Sequence, residues 1–108
     1  MPYSRETADR IRALLAGRDD VVEKRMVGGG LSFQVAGRMC CGVTGDAVMV
    51  RVGAAGAPAA LAEPHVTPMT LGGTPLDAFV LVAPEGTADD AALAAWVSRG
   101  LAFVTGEG

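Results

Sequence analysis

Between Val21 and Val52 the apolar residues recur every second position, and glycines interrupt them at short intervals. This pattern most constrains what the chain can fold into. A period of two places alternate side chains on opposite faces of a strand. Val21–Val27 forms a first candidate strand, broken by Gly28, Gly29 and Gly30. Leu31, Phe33 and Val35 alternate with Ser32, Gln34 and Ala36, and Gly37–Arg38 turns the chain. Met39, Cys41 and Val43 alternate with Cys40, Gly42 and Thr44. Gly45–Asp46 then makes a two-residue hairpin connection, and Val48, Val50 and Val52 alternate with Ala47, Met49 and Arg51. Four strands in a row with short turns predict an antiparallel meander with one apolar face.

The flanks carry helical periodicity instead. Ser4 caps a helix over Arg5–Ala16 whose stripe is Ala8, Ile11, Leu14 and Leu15, and Gly17 stands where it ends. At the other end, Thr87 and Asp90 resemble a capping box for a helix with Leu93, Trp96, Val97, Gly100, Leu101 and Val104 on one side. Ala54–Ala62 predicts a short helix with Pro58 in its first turn and Pro64 as its stop. Val66–Leu71 predicts an extended segment, Gly72, Gly73 and Pro75 a loop, and Phe79–Val82 a buried strand. The expected fold is α+β: an antiparallel sheet with helices packed mainly on one face, in the order α-β-β-β-β-α-β-β-α.

At 108 residues with half of them hydrophobic, the chain is expected to be one domain spanning 1–108, with enough core to fold without disulfides or metals. Neither an apolar leader nor a run of ~20 apolar residues is present, so no membrane association is expected. The adjacent pair Cys40–Cys41 cannot staple distant segments and suits a reducing compartment, so the expected location is the cytoplasm. A formal charge of −3 argues against direct nucleic-acid binding, which needs a basic face.

Two surfaces are candidate sites. Lys24 and Arg25 precede Gly28, Gly29 and Gly30, whose backbone N–H groups would suit an anion or a partner. The phosphate-binding signatures, however, place a helix after such a loop, and here a strand follows. The plainer alternative is a strand connection that needs positive φ. Arg25 and Arg51 on the outer sheet face with Gln34 and Met49 would make a mixed basic and apolar surface of the kind that binds a protein. Alternation puts one of Cys40 and Cys41 outside. Together with Met49 and Val27, the outward Cys40 makes that face apolar enough to expect cover, from a second copy in a homodimer or from the final helix or the Gly72–Pro75 loop. No cofactor and no metal is expected. Met26, Met39, Met49 and Met69 fill core gaps, His65 is a lone loop histidine, and Glu85, Asp89 and Asp90 belong to a helix start.

Several segments together resemble the TfoX N-terminal domain family. Glu23-Lys24-Arg25-Met26-Val27-Gly28-Gly29 is similar to its Lys-Met-Phe-Gly-Gly signature. Leu31-Ser32-Phe33, Met39-Cys40-Cys41-Gly42-Val43 and Val48-Met49-Val50-Arg51-Val52 continue the match. Phe79-Val80-Leu81-Val82 and Ala94-Ala95-Trp96-Val97 extend it through the second half. Val27 replaces the usual aromatic, and Asp77-Ala78 stands where Lys-Gly is common. The resemblance implies a stand-alone domain related to the regulatory half of competence regulators, without their C-terminal domain and without catalytic activity. A protein partner follows as the leading expectation, and an anion- or small-ligand-binding domain at Lys24-Arg25/Gly28-Gly30 as the alternative.

Overall fold

The computed structural model describes residues 3–26, 28–71 and 73–106. Val27 and Gly72 lie outside the described residues. The elements run α1 (Arg5–Leu14), β1 (Val21–Arg25), β2 (Leu31–Val35), β3 (Arg38–Thr44), β4 (Ala47–Arg51), α2 (Ala57–Leu61), β5 (Val66–Leu71), β6 (Thr74–Val82), a single 3-10 turn (Pro84–Gly86) and α3 (Asp90–Val104). This is the expected α+β order. The six strands form one open antiparallel sheet in the order β1-β2-β3-β4-β6-β5.

Register explains the core. Phe33 pairs with Cys41, Cys41 with Val50, and Val50 with Val80, so all four share one face. Val43, Val48 and Val82 form the next row. These residues join Ala8, Ile11 and Leu15 of the α1 region, Ala57 and Ala60 of α2, and Leu93, Trp96, Val97 and Val104 of α3 in one buried cluster. All three helices therefore cover the same face. Leu14, expected within the α1 stripe, is instead 41% exposed, because at 3.6 residues per turn it falls at the margin of the face that Ala8, Ile11 and Leu15 bury.

The central irregularity is in β3. Phe33 pairs with Cys41 but Gln34 with Met39, leaving Cys40 as an extra residue. A bulge of this kind sets two residues against one and re-aims a side chain. As a result both cysteines enter the core. The expectation that one of them, Cys40, lies outside is thus corrected, since strict alternation fails where a residue is inserted. Beyond the bulge the α3 backbone comes close to β3. A Cβ at Gly100 would stand 2.6 Å from the Cys40 carbonyl oxygen and 2.9 Å from its Sγ.

Met49, expected on an open outer face, is also fully buried. Its partner across β3 is Gly42, and a Cβ there would lie 2.9 Å from Met49 Cε. The methionine methyl fills the space that the missing side chain leaves.

The turns and caps refine the sequence reading. The β2–β3 connection is Ala36–Gly37, both at positive φ, rather than Gly37–Arg38. β6 begins at Thr74, which pairs with Leu71, and Pro75 lies inside the strand. The helix cap of α3 is Asp89, whose side chain accepts from the Ala92 N–H at 2.7 Å. Thr87 is buried and its hydroxyl faces the Pro84 carbonyl.

The Gly100 contact yields a direct test. Alanine is preferred over glycine in a helix by ~1 kcal/mol. Against this, the new methyl meets backbone atoms, which no rotamer change relieves, and overpacking costs about 1–3 kcal/mol. Gly100→Ala is expected to be net destabilising, with a urea midpoint below wild type at unchanged m-value. A midpoint at or above wild type would mean that α3 does not approach β3 this closely.

Candidate functional site

β1 is an edge strand, and the candidate cations sit at its C-terminal end. Lys24 pairs with Ser32 and Arg25 with Leu31, so their side chains leave on opposite faces of the sheet. Both are exposed and, among the described residues, neither is in an ion pair, whereas Arg10, Arg12, Arg18 and Arg99 all are. The glycine loop follows directly. Gly28 and Gly29 have φ of +92° and +102°. Two of the loop's donors are used within the hairpin: the Met26 N–H donates to the Gly30 carbonyl at 2.7 Å, and the Gly29 N–H to the Met26 carbonyl at 3.0 Å. Gly30 is buried, and a Cβ there would meet the Val43 carbonyl oxygen at 2.9 Å. The glycines thus serve strand connection and close packing.

Arg51 lies elsewhere. It pairs with Phe79 at the end of β4 remote from the β3–β4 hairpin, while Arg25 is at the hairpin end of β1. Its guanidinium carbon is 5.4 Å from the Phe79 ring centre and 5.3 Å from that of Phe103, and its Nε is buried without a hydrogen-bond partner. Arg38 also stands over Phe103, at 5.2 Å. Arg51 therefore belongs to an arginine–aromatic cluster and does not join Lys24 and Arg25. By alternation Lys24, not Arg25, shares the outer face with Met49.

The cation-rich edge is tied to the helical layer. Arg12 of α1 donates to both carboxylate oxygens of Glu23, at 2.6 and 2.8 Å. That hydrogen-bonded pair holds the Glu23 carboxyl below its ordinary pKa of 4.5, with burial opposing.

Cys40 and Cys41 are neighbours inside the core. The hydrogen bond between them lowers the Cys40 thiol, with burial opposing and the Arg18 charge assisting, and raises Cys41 well above its ordinary pKa, where burial adds to the rise. His65 is exposed in the turn just before β5. Three strand spacings separate β5 from β3, roughly 14 Å.

Sequence reasoning missed one feature. α2 and α3 leave between them an open cleft of about 310 Å³, lined by Val52, Gly56, Ala59, Ala60, Ala102 and Phe103. The Glu63–Arg99 ion pair closes one side at 2.6 Å, with Arg99 stacked 4.2 Å above the Trp96 ring. Ala59, Ala60 and Ala102 supply part of its wall, and alanine gives no chemical signal in a sequence.

The family model for the TfoX N-terminal domain matches residues 13–104. The chain belongs to this family. The TfoX N-terminal domain is associated with competence regulation, and the matched span runs from α1 to the end of α3. No curated protein and no solved structure matches significantly. No helix among the described residues is long and apolar enough to cross a membrane.

Two measurements check this geometry. Both thiols are expected to react with a disulfide reagent only as fast as the fold opens, and fully in denaturant. Rapid labelling of one thiol in the native protein would show an exposed cysteine. For the edge, a carboxyl whose folded pKa is lowered contributes stability above its unfolded pKa and loses it as pH falls through the folded value. Glu23→Gln is therefore expected to cost about 0.5 kcal/mol at neutral pH, as for exposed pairs. The gap from wild type should close in acid, and a gap that persists there would exclude the ion pair as its source.

Proposed function

We propose that this domain is a non-catalytic regulatory module that works through protein contacts in the cytoplasm, in the control of competence. The observation that carries the reading is the TfoX N-terminal match over residues 13–104. The chemistry of the chain supports it. The two thiols are sealed in the core, with Cys41 held protonated, and His65 stands in the turn before β5, at the far edge of the sheet from β1. A nucleophile and a base in one pocket are what catalysis of that type requires. The anion-binding alternative has less support, because Lys24 and Arg25 diverge and the loop donors described above bond within the hairpin. The acidic balance of the chain favours a protein partner over nucleic acid.

The test is genetic and biochemical together. Deleting the coding sequence in the native host is expected to change transcript levels of competence genes. Purified domain should bind a protein captured from that host with saturable affinity in calorimetry. Unchanged transcripts, combined with turnover of a small molecule by the purified domain, would overturn the reading.

A further inference from the structure

We propose that the β1 edge recognises the β1 edge of a second copy of this chain, joining two sheets into one. The inference stands on the edge itself and does not depend on the regulatory reading.

A sheet edge is a template for another strand unless it is blocked. The two edges here differ. β5 carries Pro68 and an irregular register between Pro68 and Thr70, both of which spoil pairing. β1 has neither. Its backbone polarity follows from its hydrogen bonds. The Met26 N–H donates to Gly30, and the Asp20 carbonyl accepts from the Ala36 N–H at 3.1 Å. Even-numbered residues thus face β2, and antiparallel alternation turns the N–H and C=O groups of Val21, Glu23 and Arg25 outward. On the outer face, Val22 is 52% exposed, more than Leu14 or Leu61.

The sequence at this edge is self-complementary in charge: Asp19-Asp20-Val21-Val22-Glu23-Lys24-Arg25. A two-fold axis perpendicular to the sheet at Val22 sets Val22 against Val22 of the second copy. Asp19 and Asp20 form the bend that leads into β1, and continuing the register through it brings Asp20 towards Lys24 and Asp19 towards Arg25, each twice. Val21 and Glu23 then form the hydrogen-bonded pair with their outward groups, as the ladder requires. The central valines fall at a non-hydrogen-bonded position, where Cα atoms approach to about 4.5 Å. Neighbouring two-fold registers fail: centring on Glu23 opposes two glutamates, centring on Lys24 opposes two lysines, and centring on Val21 sets Asp19 against Glu23 and Arg18 against Lys24. The charges are available. Lys24, Arg25 and Asp19 are exposed and, among the described residues, form no ion pair, while Asp20 is shared with Arg18 at 3.0 Å. Glu23 stands opposite Val21 in this register, so it meets no like charge and keeps its partner Arg12.

Sedimentation of the full chain across a concentration series is the test. Wild type is expected to approach twice its 10.9 kDa mass, with association weakening as salt rises. Lys24→Glu with Arg25→Glu, and separately Asp19→Lys with Asp20→Lys, should each weaken self-association by more than roughly tenfold, because like charges then face one another. Mixing the two variants restores every opposite-charge pair, so a mixed dimer should form where neither variant pairs with itself. Circular dichroism confirms that both remain folded. If Asp20→Lys unfolds the chain through loss of Arg18, Asp19→Lys alone is mixed with Arg25→Glu. A strictly monomeric wild type at high micromolar concentration, or folded variants that fail to pair on mixing, would overturn the proposal.

Discussion

The approach of α3 to the bulge in β3 governs the molecule. A helix normally rests on a sheet through side chains. Here Gly100 lets the helix backbone come against the Cys40 carbonyl, and the bulge turns both cysteines into the space beneath. The seating of α3 over β3 and β4, with Val97 and Val104 buried, depends on that approach. So does the location of Phe103, which is carried on the same helix to stand between Arg38 and Arg51. Two elementary choices, an inserted residue and an absent side chain, set the spacing of the two layers.

Element identity was legible because it rests on periodicity. The meander from Val21 to Arg51, both flanking helices and their order were readable from the spacing of apolar residues alone. Failures came where a single residue breaks a period. Alternation through β3 put one of the two cysteines outside, and no sequence rule marks the insertion at Cys40. Met49 was misplaced for a related reason: its burial depends on Gly42 in the neighbouring strand, a relation that exists only once register is fixed. The helix start at Asp89 and the early start of β6 are local shifts of one cap and one turn.

The candidate site was legible in part. Lys24 and Arg25 stand out as unusual charges beside glycines, and the structure leaves both exposed and, among the described residues, free of ion pairs. What the sequence could not supply was direction. Consecutive strand residues point to opposite faces, so two adjacent cations do not converge on one ligand, and Arg51 lies at the other end of the sheet. The cleft between α2 and α3 was invisible, because alanine is the residue of an ordinary helix as much as of a pocket wall.

Pro68 and the irregularity beside it give the sheet a polarity of growth. An edge that accepts a strand can continue to accept strands, which is how open sheets become fibres. With β5 unable to serve as a template, a sheet built from this chain has a single productive end. Any strand that docks on β1 terminates the series, and a two-fold pairing uses both productive ends at once. The chain can thus leave β1 open to one partner and remain a finite object.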